Sequence, residues 1–259
     1  MGDLRYCFEQ ERVLPMLRKM KDGLAVIDSE GISGTTIKDI LKKNPKLLIY
    51  DYLNAGALEQ ERSYYNDFKH LRLAKYSGWA GEYWIDVTDK KWQEHLIEEA
   101  RKKKAKGAIG LYFDNADIYY MCAEGFREEK TNTMRKVPVA KDVYNALKYV
   151  VKTIVEDVGL VVMPNGGDDF VERLDNGGYG YLIKTVNQEG VCYTDQKATP
   201  AEDKKYYTKY LDKMKKRGRY IRVIEYPKTK TQAAKAIAYA KLHGWQKVYI
   251  SYHKNLLGD

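Results

Sequence analysis

Trp92-Gln93-Glu94-His95-Leu96-Ile97-Glu98-Glu99-Ala100-Arg101-Lys102-Lys103-Lys104, followed shortly by Ala108-Ile109-Gly110-Leu111-Tyr112-Phe113-Asp114, is the stretch that decides the fold. In the first part Trp92, Leu96, Ile97 and Ala100 recur at i, i+4, i+5 and i+8, while glutamates and lysines fill the other side. That spacing predicts an amphipathic helix over 91–104. The second part is a short apolar run closed by an acid, which suits a strand buried on both faces. A helix leading into such a strand is one step of a parallel α/β sheet.

The same alternation runs along the chain. Strands are expected over 23–28, 47–53, 82–87, 108–114, 160–164, 181–186, 220–226 and 247–252. Helices are expected over 35–43, 58–68, 91–104, 140–158, 201–217 and 231–243, with a short one over 168–174. Strands joined by helices imply right-handed parallel crossovers. Eight of them favour closure into a (β/α)8 TIM barrel, with an open doubly wound sheet as the alternative. No linker or break in composition interrupts the 259 residues, so one domain over 1–259 is expected.

Several function classes fit poorly. A formal charge of +9 raises the question of nucleic acid, but the lysines fall in segments such as 102–104, 204–205 and 213–216 that read as solvated helix faces. No nucleic-acid partner is expected. Cys7, Cys122 and Cys192 are too few for a disulfide framework, and four scattered histidines give no metal-ligand spacing. No metal or other cofactor is expected. There is no G-x-S-x-G elbow and no G-x-G-x-x-G loop, and the loops after the last two expected strands are not glycine-rich. Nothing is long enough to span a membrane, and a monomer is expected. The 23 tyrosines against 5 phenylalanines offer faces for stacking and hydroxyls for hydrogen bonding. Tyr112, Tyr119, Tyr179, Tyr193, Tyr226 and Tyr252 fall near the strand ends, where either sugar stacking or plain packing would use them.

Barrel enzymes build their sites at the C-terminal ends of the strands, and acids gather there. Asp28 and Glu30 close the first expected strand, Asp86 stands near the end of the third, and Asp114 and Asp117 follow the fourth. Glu189 follows the sixth and Glu225 lies near the end of the seventh. Asp86 and Asp89 also precede a helix, where an aspartate serves as a cap. Crowded carboxylates push one another's pKa up and leave an acid beside a base, which is what glycoside hydrolysis needs. An anionic cleft in a basic shell would also draw a cationic ligand.

These residues also carry a family resemblance. Tyr52-Leu53-Asn54-Ala55-Gly56-Ala57-Leu58-Glu59 with Arg62, then Trp84-Ile85-Asp86-Val87 with Trp92, then Gly110-Leu111-Tyr112-Phe113-Asp114-Asn115-Ala116-Asp117, and finally Asn187-Gln188-Glu189 resemble, in order, blocks of glycoside hydrolase family 114. That is the endo-α-1,4-polygalactosaminidase group. The resemblance implies a TIM barrel that cleaves an α-1,4-linked galactosaminoglycan or a related amino-sugar exopolysaccharide outside the cell or at its surface. It implies Asp114 as nucleophile or base and Glu189 as general acid/base, with Asp28, Asp86, Asn115, Asp117 and Glu225 on the sugar subsites. Of the tyrosines near the strand ends, Tyr193 and Tyr226 are further substrate-binding candidates. A retaining mechanism is expected, for which the two carboxyls stand about 5–5.5 Å apart rather than about 6.5–9.5 Å. The chain departs from the pattern at Ala57, where many members carry an acid. A carbohydrate-binding barrel with weak or no turnover, a hydrolase of a different polysaccharide, and an enzyme of a small sugar metabolite are the competing readings.

Overall fold

A computed structural model describes residues 2–126, 134–253 and 256. The strands are β1 (Asp3–Cys7), β2 (Gly23–Ile27), β3 (Leu47–Asn54), β4 (Ala57–Glu59), β5 (Arg72–Lys75), β6 (Glu82–Ile85), β7 (Gly110–Asp114), β8 (Val161–Pro164), β9 (Thr185–Glu189), β10 (Tyr193–Thr194), β11 (Lys197–Ala198), β12 (Tyr220–Glu225) and β13 (Lys247–Ile250). The helices are α1 (Gln10–Lys19), α2 (Gly34–Lys43), α3 (Tyr65–Phe68), α4 (Lys90–Lys106), α5 (Ile118–Ala123), α6 (Ala140–Thr153), α7 (Asp168–Asn176), α8 (Ala201–Lys216) and α9 (Lys230–His243).

Eight parallel strands follow one another around a barrel. β1, β2, β3, β7 and β8 form one ladder, and β9, β12 and β13 another. Single bridges at Val162–Ile183 and Asn165–Asn187 join β8 to β9. At the remaining seam Lys247 Nζ donates to the Gly2 carbonyl at 2.5 Å, and the Tyr249 hydroxyl reaches the Tyr6 carbonyl at 3.4 Å. Strands such as Gly23–Ile27 are apolar on both faces because one face fills the barrel and the other meets the helices.

The barrel is the expected one, but one of its staves is not. The run 82–87 does not join the ring. β6 pairs antiparallel with β4 and β5 in a separate three-stranded sheet inserted between β3 and α4. The missing stave is β1, followed by α1, at an N-terminus where Arg5 interrupts the apolar run and Pro15 sits within the helix. The expected helix over 58–68 is also replaced. Ala57–Glu59 finds ladder partners in Trp84, Tyr83 and Glu82, and only Tyr65–Phe68 is helical. The expected strand over 181–186 begins with a 3₁₀ turn at Gly180–Leu182, so the strand runs later and Glu189 is its last residue.

Helix ends follow local chemistry. Asp89 caps α4 by accepting the N–H groups of Lys91 (2.8 Å) and Trp92 (3.2 Å), and Gly107, at φ 113°, ends it. Thr229 and Gln232 form a capping box on α9. The lysine run on α4 is not wholly a solvated face. Lys103 is buried and pairs with Asp51 of β3 at 3.2 Å, while Asp51 also accepts the N–H (3.1 Å) and hydroxyl (2.5 Å) of Ser29. This pair ties the helix layer to the barrel beneath the site. Removing one partner of a buried pair strands the other's charge. Lys103→Ala is expected to lower the unfolding free energy by about 3 kcal/mol, read from urea unfolding followed by circular dichroism.

Candidate active site

A cavity of about 1040 Å³ opens at the C-terminal ends of the barrel strands. Among the described residues its walls carry nine acids, Glu9, Asp28, Glu30, Glu59, Glu61, Glu82, Asp114, Glu189 and Asp195, against one cation, Arg62. In a chain of net charge +9 this is a concentrated reversal of sign.

At its centre Asp114, the last residue of β7, faces Glu189, the last residue of β9. Asn165, just beyond β8, stands between them. Its Nδ2 donates to Asp114 Oδ1 at 3.0 Å and to Glu189 Oε1 at 2.8 Å. An amide NH₂ fans its hydrogens about 120° apart, so the two bridged oxygens stand roughly 5 Å from each other. The Asn187 amide in turn donates to Asn165 Oδ1 at 2.7 Å, which fixes which way Asn165 points. Glu189 also receives the hydroxyls of Tyr112 (2.7 Å) and Tyr226 (2.5 Å), and Asp114 that of Tyr52 (3.2 Å). Burial raises the Asp114 pKa to about 8, helped by the charge of Glu189 and opposed by the Asn165 donor. The pair therefore holds a proton at neutral pH.

A second pair of carboxylates repeats the device. Asn54 Nδ2 donates to Glu59 Oε1 at 2.9 Å and to Glu82 Oε1 at 2.8 Å. Glu59 pairs with Arg62, whose Nη1 also holds Asp28 (2.6 Å) and Glu30 (2.7 Å). Burial works against the Glu30 carboxylate, but Arg62 outweighs it and keeps its pKa below the ordinary value. Among the described residues Glu82 has no cationic partner. Burial and the nearby Glu59 raise its pKa to about 7, against the Asn54 and Asn115 donors.

The backbone that places these groups has little freedom. A methyl group on Gly56 would lie 1.9 Å from the Asn115 carbonyl oxygen, so only glycine lets the β3–β4 corner press against the loop after β7. Asn115 itself is left-handed at φ 59°, a conformation asparagine tolerates, and its Nδ2 donates to Glu82 (2.9 Å) and Asn54 (3.0 Å).

Of the residues singled out from the sequence, Asp114, Glu189, Asp28, Asn115 and Tyr226 line this cavity. The other four lie elsewhere. Asp86 accepts the N–H (3.1 Å) and hydroxyl (2.6 Å) of Thr88 and pairs with Arg135 at 3.3 Å, in a separate depression of about 650 Å³. Asp117 accepts the Gly167 N–H at 3.1 Å, tying the loop after β7 to the one after β8. Glu225 takes the N–H groups of Cys192 (2.9 Å) and Tyr193 (2.8 Å), with its pKa raised to about 7 by burial. Tyr193 contributes that backbone contact, while Thr194 and Asp195 beyond it reach the cavity. Sequence reading did not single out Asn165, Glu82, Tyr76 or Trp79. Asn165 was within reach, since it follows Pro164 at a strand end. Glu82 was not, because a parallel strand over 82–87 would have set it at the opposite end of the barrel.

Among the described residues no group of three His, Cys, Asp or Glu side chains is placed to hold a metal ion, and no helix is long and apolar enough to cross a membrane. Cys7, Cys122 and Cys192 are all buried, and no disulfide joins them among the described residues. Lys254 and Asn255, in the loop after the last strand, lie outside the described residues.

A (β/α)8 barrel with paired carboxylates at its strand ends is the framework of a retaining or inverting glycoside hydrolase. The chain belongs to glycoside-hydrolase family GH114, whose model matches residues 15–255. Its fold is similar to that of the glycoside hydrolase domain of PelA from Pseudomonas aeruginosa, at 17% identity over 99% of this chain and 97% of that one, with a TM-score of 0.75. It is likewise similar to Ega3 of Aspergillus fumigatus, solved in complex with galactosamine, at 16% identity over 99% and 91%, with a TM-score of 0.70. Among curated sequences it is 23% identical over 194 residues to the uncharacterized protein MJ1477 of Methanocaldococcus jannaschii, and 20% over 185 residues to an uncharacterized protein of Thermotoga maritima. These stretches cover 72% and 68% of this chain and 54% of each relative, so the chain spans about half their length.

Glu82 yields a prediction with a definite sign. Its folded pKa of about 7 lies above the ordinary 4.5. The native state thus holds a proton that the unfolded state has lost, and raising the pH costs stability. Relative to wild type, Glu82→Gln should gain stability progressively from about pH 4.5 to about pH 7 and keep a constant gain above that. Thermal unfolding across the pH range reads this, and a gain that is flat with pH would contradict it.

Proposed function

We propose that this protein is an endo-acting hydrolase of an α-1,4-linked galactosaminoglycan or a closely related amino-sugar polymer, using Asp114 and Glu189 in a retaining mechanism. The observation that carries this is the Asn165 amide shared by the two carboxyls. The gap of roughly 5 Å that this bridge implies between the two oxygens is nearer the carboxyl separation of a retaining pair than that of an inverting one. Family membership supports the reaction class. The acidic walls support the substrate, because a polymer with free amino groups is cationic and gains by entering them. Such a polymer also favours an extracellular or cell-surface enzyme.

In this reading Asp114 attacks the anomeric carbon while Glu189 protonates the departing oxygen. Glu189 then activates the water that releases the product. Burial, with the charge of Glu189, keeps a proton on Asp114 at neutral pH. A sugar ammonium close to Asp114 favours its ionised form, the form that attacks the sugar. Tyr52, Tyr112, Tyr226 and Asn165 hold the pair in register throughout.

Partly deacetylated α-1,4-galactosaminoglycan should release oligosaccharides with wild type, and at least 10³-fold more slowly with Asp114→Asn or Glu189→Gln, by ~4 kcal/mol of lost transition-state stabilisation. Wild type that binds the polymer without releasing product would instead be a binding barrel. The roles separate by azide rescue with an activated α-glycoside. Asp114→Gly should give the β-glycosyl azide, since the azide replaces the nucleophile, and Glu189→Ala the α-glycosyl azide. Activity should also fall as the pH rises through about 8, where the proton shared by the pair is lost.

A further inference from the structure

We infer that Trp79 is a sugar-stacking platform for a unit of the polymer outside the catalytic pair, and that it makes cleavage depend on chain length; this rests on the function proposed above. Of the aromatic residues that line the cavity, the others are buried or half-buried, and several hold a catalytic carboxylate through their hydroxyls. Trp79 is different. It lines the cavity, is 53% exposed, and makes no ring contact among the described residues. The remaining three tryptophans, Trp84, Trp92 and Trp245, are all buried.

The turn that carries Trp79 is held firmly at its base. The Tyr76 N–H donates to the Glu82 carbonyl at 2.9 Å, and the Tyr76 ring packs on buried Trp84 with centroids 4.7 Å apart. Gly81, at φ 83°, turns the chain back, and the Gln60 N–H meets its carbonyl at 2.9 Å. That last bond extends the β4–β6 pairing by a step, so Glu61 emerges beside the turn and contributes an acid to the same wall. An indole face beside a carboxylate matches the two sides of an amino sugar, whose C–H face stacks on the ring while its ammonium meets the charge. An ordinary exposed tryptophan needs no explanation. One mounted on an anchored hairpin at the wall of an acidic cavity has a ligand to meet.

The test uses α-1,4-linked galactosamine oligosaccharides of graded length. In Trp79→Ala, kcat/KM on the longest should fall about tenfold, through KM, and the loss should shrink as the oligosaccharide shortens. Trp79→Phe should recover most of it. A loss equal at every length, or none at all, would overturn the platform. Binding is read separately in Glu189→Gln, where the oligosaccharide should shift the emission of the one exposed tryptophan, and Trp79→Phe in that background should abolish the shift. An unchanged emission on saturation also overturns the inference. Failure of wild type to cut any of these sugars would instead count against the proposed function, and the emission experiment would still decide whether Trp79 meets the sugar.

Discussion

Nine carboxylates around one cavity repel one another, and the one arginine among the described lining residues cannot neutralise them. The remaining structure of the site is a set of ways to hold them in place. Where charge neutralisation is available it is concentrated: Arg62 takes Asp28, Glu30 and Glu59 together. Elsewhere neutral donors do the work. Asn165 bridges Asp114 and Glu189, Asn54 bridges Glu59 and Glu82, and the Tyr52 hydroxyl links the two pairs through Glu59 (2.6 Å) and Asp114 (3.2 Å). An amide or phenol steadies a carboxylate without cancelling its charge. The cavity therefore stays anionic, and burial, with the neighbouring carboxylates adding to it, leaves protons on Asp114 and Glu82.

That requirement reaches into the fold. Bridging by Asn54 and Asn115 works only if the β3–β4 corner and the loop after β7 touch, which is why Gly56 tolerates no side chain and Asn115 adopts a left-handed backbone. The inserted sheet β4–β6–β5 then supplies what the eight staves do not. It sets Glu59 directly opposite Glu82, and it leans its last turn over the cavity. Beneath, the buried Lys103–Asp51 pair holds α4 against β3 and the loop after β2, so the ends of neighbouring strands keep their spacing.

The parts of this architecture that follow from periodic burial were legible in the chain. α4 and β7 carry clean patterns because one packs a single face and the other is covered on both, and Asp114 marks the end of its strand unambiguously. The stave at Asp3–Cys7 was hidden because Arg5 breaks its apolar run. The run at Glu82–Ile85 reads as a strand and is one, but its direction depends on partners far along the chain, and direction decides which end of the barrel Glu82 reaches. The same limit applies to the acids. Asp117 and Glu225 stand near strand ends as substrate-binding residues would, yet their carboxylates turn to backbone N–H groups of neighbouring loops. Spacing along a strand says where an acid emerges; it does not say which donors await it.

The net charge of +9 takes on a meaning once the acids are located. Lysines cover the outer helices, as on α8 with its basic last turn, while the strand ends gather the negative charge. A cationic polymer is repelled by most of such a surface and drawn only to the cavity mouth. Fields of this kind are felt within a Debye length of about 8 Å at physiological salt, so the contrast acts at the approach of each chain segment rather than on the polymer from afar. For the endo-acting hydrolase proposed above, such an arrangement would discourage adhesion elsewhere on the barrel and help the enzyme leave one stretch of polymer and engage another. A uniformly acidic surface would bind the proposed polymer more tightly and release it more slowly, so in that function the basic shell would act on release where the carboxylates act on cleavage.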